Sequence, residues 1–224
     1  STDEYGILSI VDNVNSYLIL ANGLGLSNSI LRFCVLKEKY EEKRAVFDFC
    51  LHWGMVINGA ILIIAAIIVS FMDLSIAGLR PYLLFGLAVP AVMYIFDCSS
   101  LFLRADMKNK EYARLSVIYT ALYAGFQVFL AWGFHVYGAI VGRYLSLVIA
   151  AAIGMLFIKK RSSLFNFKGV ALSVADKKEI FSFAIGGLIA NSFSIIMPMN
   201  EQMVVTVLLA DETQTAFYKA ASLV

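Results

Sequence analysis

Charge is scarce in this sequence. Asp, Glu, Lys and Arg supply only 15% of its 224 residues, against 60% hydrophobic residues, and the mean hydropathy is +0.79. A water-soluble domain of that balance would leave wide apolar surface uncovered, so a bilayer is the solvent the composition fits. Histidine and cysteine are scarce as well. The two histidines, His52 and His135, fall on opposite membrane sides, and Cys34, Cys50 and Cys98 form no Cys-x-x-Cys pair. These spacings exclude the familiar zinc sites, and no metal or cofactor is expected. Polar and apolar residues do not alternate, which argues against a membrane barrel.

What is present is a series of apolar runs of spanning length, about 20 residues or more each. Six occupy residues 7–36, 47–71, 81–103, 115–134, 137–158 and 180–209, and a stub at 217–224 follows. The expectation is an all-α integral membrane protein with six transmembrane helices plus the start of a seventh. Alternate connections carry 15 of the 18 basic residues, in three groups: Arg32 to Arg44, Arg104 to Arg114, and Lys159 to Lys178. The positive-inside rule assigns these to the cytoplasm, where Cys34, Cys50 and Cys98, near the same helix ends, are expected to stay reduced. Ser1 is then outside, which predicts an earlier span or a cleaved signal before it, and Val224 ends inside a span.

The organisation changes after residue 158. Residues 159–179 are basic and mixed, and read as a linker, either lying along the membrane surface as an amphipathic helix or a disordered charged loop. Beyond it the pattern restarts: Asp3-Glu4-Tyr5 through Val11 has a loose counterpart in Tyr218 to Val224, preceded by Asp211-Glu212. Internal repeats are a common plan for transporters. The divisions are 1–158 for most of an N-terminal lobe, 159–179 for the linker and 180–224 for the beginning of a second lobe.

Polar residues inside apolar runs are costly and are the candidates for function. Ser9, Asp12, Asn13, Ser16, Gly23 and Ser27 share one helical stripe, with Asn22 beside it. Such a stripe either lines a cavity or joins helices by hydrogen bonds. Asp97 lies seven residues before Arg104, about 10 Å inside its helix, as a coupling carboxylate or as the partner of a base such as Arg32. Asp48 and His52 are spaced so that they could pair on one face, but Asp48 is read first as a cap or interfacial residue. Arg143 follows Gly138-x-x-x-Gly142, a spacing that admits another helix closely. Its guanidinium either meets a phosphate in a fork of hydrogen bonds or snorkels to the interface. Pro90 and Pro198 are expected to bend their helices, and Glu201 is a further candidate cavity residue.

Asp3-Glu4-Tyr5-Gly6-Ile7, Gly23-Leu24-Gly25-Leu26-Ser27 running to Arg32, Leu103-Arg104-Ala105, and Gly138-Ala139-Ile140-Val141-Gly142 resemble the polysaccharide and O-antigen flippases of the multidrug, oligosaccharidyl-lipid and polysaccharide exporter superfamily. The resemblance spans the chain. It departs in the last full run, where Ile185-Gly186-Gly187 and Glu201-Gln202 stand at positions that usually hold a proline and a charged pair. The resemblance implies a MATE-like two-lobe transporter bundle in a bacterial cytoplasmic membrane. It would flip an O-antigen or other polysaccharide repeat unit, linked to polyprenyl pyrophosphate, by alternating access and without catalysis. Candidate substrate residues are Arg143, Asp12, Asn22 and Ser16, and candidate coupling or structural charges are Asp97 and Glu201. Partners implied are the lipid-linked oligosaccharide, membrane lipids, a polysaccharide polymerase and chain-length proteins, with no nucleic acid. A cation-coupled multidrug exporter of the same fold is the alternative. A membrane saccharide polymerase or ligase is a weaker one, because no complete non-basic connection exceeds nine residues.

Overall fold

The computed structural model of the chain describes residues 2–72, 78–159 and 172–209. These are helical throughout apart from short turns: α1 (Thr2–Leu20), a 3-10 turn (Asn22–Gly25), α2 (Leu26–Val35), α3 (Tyr40–Phe71), α4 (Leu79–Gly86), α5 (Val89–Ala105), α6 (Asn109–Lys159) and α7 (Val174–Leu209). Among the described residues, four helical stretches are long and apolar enough to cross a membrane. One of them, α6, is a hairpin. Phe134 (φ −129°, ψ 16°) and His135 (φ 53°, ψ −133°) leave the helical region, and the chain folds back so that Gly138 lies against the Leu130 carbonyl and Gly142 against the Phe126 carbonyl. The sequence turn expected at residues 133–138 is here, and the two glycines let the arms touch at backbone distance.

Helical periodicity selects the core. On α2 the buried residues are Leu26, Ser29, Ile30, Phe33 and Cys34, which recur at the spacing of one helix face. On α3 the buried face runs through Phe47, Cys50, Gly54 and Asn58. Tyr94, Cys98 and Phe102 of α5 close against them in the same core, with Phe47 and Phe102 at 4.8 Å between ring centroids. The far half of α3 is different. Ile63, Ile64, Ile67 and Ile68 are all more than half exposed, an apolar surface that suits acyl chains rather than water.

Two of the apolar runs are broken where the sequence suggests a continuous helix. The first run, read as one span, leaves the α conformation at Gly23, Leu24 and Gly25, all with φ between 48° and 78°. Two glycines make this left-handed stretch accessible at little cost. Hydropathy stays high across it, which is why an apolar run conceals the break. The third run divides between α4 and α5, and Pro90 sits in the first turn of α5, a position where the missing N–H costs nothing.

At the basic end, Asp106 accepts a hydrogen bond from Lys43 and forms an ion pair with Lys108, each at 3.3 Å, tying the α2–α3 and α5–α6 turns together. The three cysteines are free and buried. Helix α7 begins at Val174, inside the stretch expected to be linker, because Ser173 caps it: its hydroxyl accepts from the Asp176 N–H at 3.0 Å and donates to the Asp176 carboxylate at 2.9 Å. That hydroxyl, with Lys37 nearby, holds the Asp176 carboxyl below its ordinary range. The surface-helix expectation for the rest of the linker, the restart at residues 211–224 and the side chain of Glu201 lie outside the described residues.

Candidate functional site

Arg143 projects from the second arm of α6 toward α1. Its Nη1 donates to Asp12 Oδ1 at 2.5 Å and its Nη2 to Asp12 Oδ2 at 3.0 Å, a fork of parallel hydrogen bonds. Nη2 also lies 3.4 Å from the Tyr123 hydroxyl on the first arm of α6, and the guanidinium carbon is 5.8 Å from the Tyr123 ring centroid. The Arg143 side chain is 14% exposed and that of Asp12 31%. The guanidinium is turned toward α1, onto Asp12. Its Nε is buried with no hydrogen-bond partner among the described residues. Gly142 precedes it against the facing arm, so the tight hairpin holds the side chain in place.

The break in the first run forms a second polar node. Gly23 donates its N–H to Asn58 Oδ1 at 2.9 Å, and Asn22 donates to the Pro90 carbonyl at 3.0 Å. The Tyr94 hydroxyl donates to the Cys50 carbonyl at 2.8 Å. A Cβ at Gly23 or Gly54 would overlap the Tyr94 ring, so both positions need glycine for contact, and Gly23, at φ 57°, for conformation as well. Asn22 Oδ1 and Asn58 Nδ2 remain buried without a hydrogen-bond partner among the described residues. Across the second break, the Tyr144 hydroxyl donates to the Phe85 carbonyl at 2.7 Å. Each interrupted helix is thus braced by side chains of its neighbours, the arrangement that lets irregular backbone exist at membrane depth.

A third feature is a cavity of about 390 Å³ toward the basic end, between α2, α5 and the first arm of α6. Its lining includes Asp97, Ser100 and Arg104.

The expected residues are therefore dispersed. Arg143 and Asp12 meet each other. Asn22 belongs to the brace of the first break. Ser16 donates to the Asp12 carbonyl of its own helix at 2.8 Å, while Ser9 and Asn13 of the same stripe are buried. Two candidate pairings are not formed. Asp97 does not meet Arg32: the Arg32 guanidinium lies 4.3 Å from the Phe183 ring centroid, drawn by an aromatic face on α7. Asp48 accepts from Arg44 Nε at 2.9 and 3.0 Å in place of His52, one turn back along α3, where the charge is complementary without protonation. Asn58, Tyr94 and Tyr123 were not singled out by sequence. Asn58 had a signal, as an amide inside a strongly apolar run; Tyr123 is one of 11 tyrosines and had none. Among the described residues no group of three or more His, Cys, Asp or Glu is placed to hold a metal ion.

Long apolar helices, interrupted spans and a part-buried ion pair between two of the helices define a multi-pass α-helical membrane protein. A family model described as polysaccharide biosynthesis protein matches residues 1–224, and the chain belongs to that family. No curated protein and no solved structure matches it.

Proposed function

We propose that the chain is part of a flippase that carries a polyprenyl-pyrophosphate-linked oligosaccharide across the bacterial cytoplasmic membrane. It is read as helices of a MATE-like, two-lobe bundle, six spans and the start of a seventh, with the basic turns in the cytoplasm. The observation that carries the reading is the Arg143–Asp12 pair within the bundle, together with membership of a polysaccharide biosynthesis family. Charge at membrane depth is retained where it serves a pathway. A guanidinium fork fits two oxygens of a carboxylate and two oxygens of a pyrophosphate equally well. Asp12 then keeps Arg143 oriented and its charge compensated until the anionic group of the cargo takes over the fork. No bond of the cargo is made or broken. Any polymerase or chain-length protein acts on the cargo before or after passage.

The reading is tested by deleting the full gene. The lipid-linked saccharide should accumulate intact on the inner leaflet, protected from an impermeant glycosidase in whole cells and exposed in inverted vesicles. A shortened or unpolymerised saccharide that still reaches the outer face would instead indicate a membrane polymerase or ligase.

A further inference from the structure

We propose that the cavity lined by Asp97 is the subsite for the sugar part of the cargo, separate from the Arg143 site. This rests on the flippase reading for the identity of the cargo. The cavity measures about 390 Å³, within the range of small-ligand sites, about 300–1,000 Å³. Several of its polar groups are uncommitted, although Thr120 donates to the Ser116 carbonyl. Among the described residues Asp97 and Ser100, both half-buried, and the exposed Asn28 make no hydrogen bond or ion pair. Arg104, at the basic end of the cavity, is turned onto the Tyr112 ring at 5.3 Å.

The chemistry selects among ligand classes. A bare phosphate would meet Arg104 but would leave the Asp97 carboxyl without a donor. A single metal ion would need several ligands gathered within coordination distance, and among the described residues no group of three or more His, Cys, Asp or Glu is so placed. An apolar compound would leave the carboxylate, amide and hydroxyls without partners. A saccharide satisfies them all, because its hydroxyls both donate to Asp97 and accept from Asn28 and Ser100. Tyr112 and Tyr119 line the cavity as well. Tyr119 also connects the two sites: its ring lies 5.8 Å from that of Tyr123, whose hydroxyl meets Arg143. One cargo molecule can therefore place its pyrophosphate at Arg143 and its sugar beside Asp97.

The test uses the full chain with Ser100→Cys or, from the opposite wall, Ser116→Cys. The native thiols are buried and stay in place. Modification by a maleimide is timed in the presence of geranyl pyrophosphate, with and without a linked N-acetylglucosamine. The sugar-bearing probe should slow labelling at both positions, and bare geranyl pyrophosphate should not. Adding Asp97→Asn should raise the concentration for half-protection about tenfold, the loss expected for a hydrogen bond to a charged group. Equal protection by the bare probe would overturn the proposal, as would protection by neither probe in variants that still transport cargo; in that case the flippase reading stands without this subsite. A wild-type chain that moves no cargo would remove both.

Discussion

The Arg143 guanidinium and the Asp12 carboxylate, 131 residues apart in sequence, share a two-pronged hydrogen bond between α6 and α1. Each is the other's principal charge partner. Removing one member of such a pair costs about 3–5 kcal/mol when the site is fully buried, and partial exposure of Asp12 places this pair below that range. Arg143→Gln and Asp12→Asn should each lower the melting temperature of the purified full chain, and the double variant should lower it by less than the sum. Additive losses would mean that the pair contributes no coupling.

The α6 hairpin predicts a sharp contrast among glycines. A Cβ at Gly138 or Gly142 would collide with carbonyls of the opposite arm, whereas nothing lies within 4 Å of one at Gly125 or Gly59. Gly138→Ala and Gly142→Ala should destabilise by about 1–3 kcal/mol, as overpacking does, and Gly125→Ala and Gly59→Ala should be neutral or mildly stabilising. Thermal unfolding in detergent distinguishes the two groups.

Asn58 accepts from the one backbone N–H that the break presents to α3. Asn58→Leu should cost about 1–3 kcal/mol by leaving Gly23 unsatisfied, with faster amide exchange confined to residues 21–26. Asn58→Asp preserves the acceptor and should retain more of the protection. Uniform exchange changes across the chain would argue against a local brace.

The helices and the α6 turn were legible because apolar length and Gly133 to Gly138 are local signals. The start of α7 was hidden by its polar first turn, Asp176 to Glu179, although Ser173 and Asp176 carry a cap signature. The break at Gly23 was hidden for the opposite reason: hydropathy does not change when an apolar helix unwinds. Partner choice was the least legible. Asp12 and Arg143 were both recognisable as costly intramembrane charges, but their meeting depends on how α1 packs on α6. Arg32 likewise finds Phe183 only because α7 docks at the basic end, where Ser29 donates to the Ile180 carbonyl at 3.2 Å.

Sidedness follows from the basic turns. Single cysteines at Lys39 and Lys108 should resist an impermeant maleimide in intact cells and react in inverted vesicles, while one at Gly133, at the hairpin tip, should do the reverse. Cys34, Cys50 and Cys98 should react in neither until the protein unfolds. Labelling of Lys39→Cys and Lys108→Cys from outside would invert the topology.

The most direct test of the account is the affinity of geranyl pyrophosphate for the full-length protein, measured by titration calorimetry for wild type, Arg143→Lys, Arg143→Gln and Asp12→Asn. If Arg143 receives the pyrophosphate, Arg143→Gln should weaken binding roughly tenfold to a hundredfold, as loss of a charge-assisted hydrogen bond predicts. Arg143→Lys should be intermediate, because an ammonium keeps the charge and loses the fork. Asp12→Asn should bind at least as tightly as wild type, since the carboxylate no longer competes for the guanidinium. Wild-type affinity in a folded Arg143→Gln protein would contradict the account.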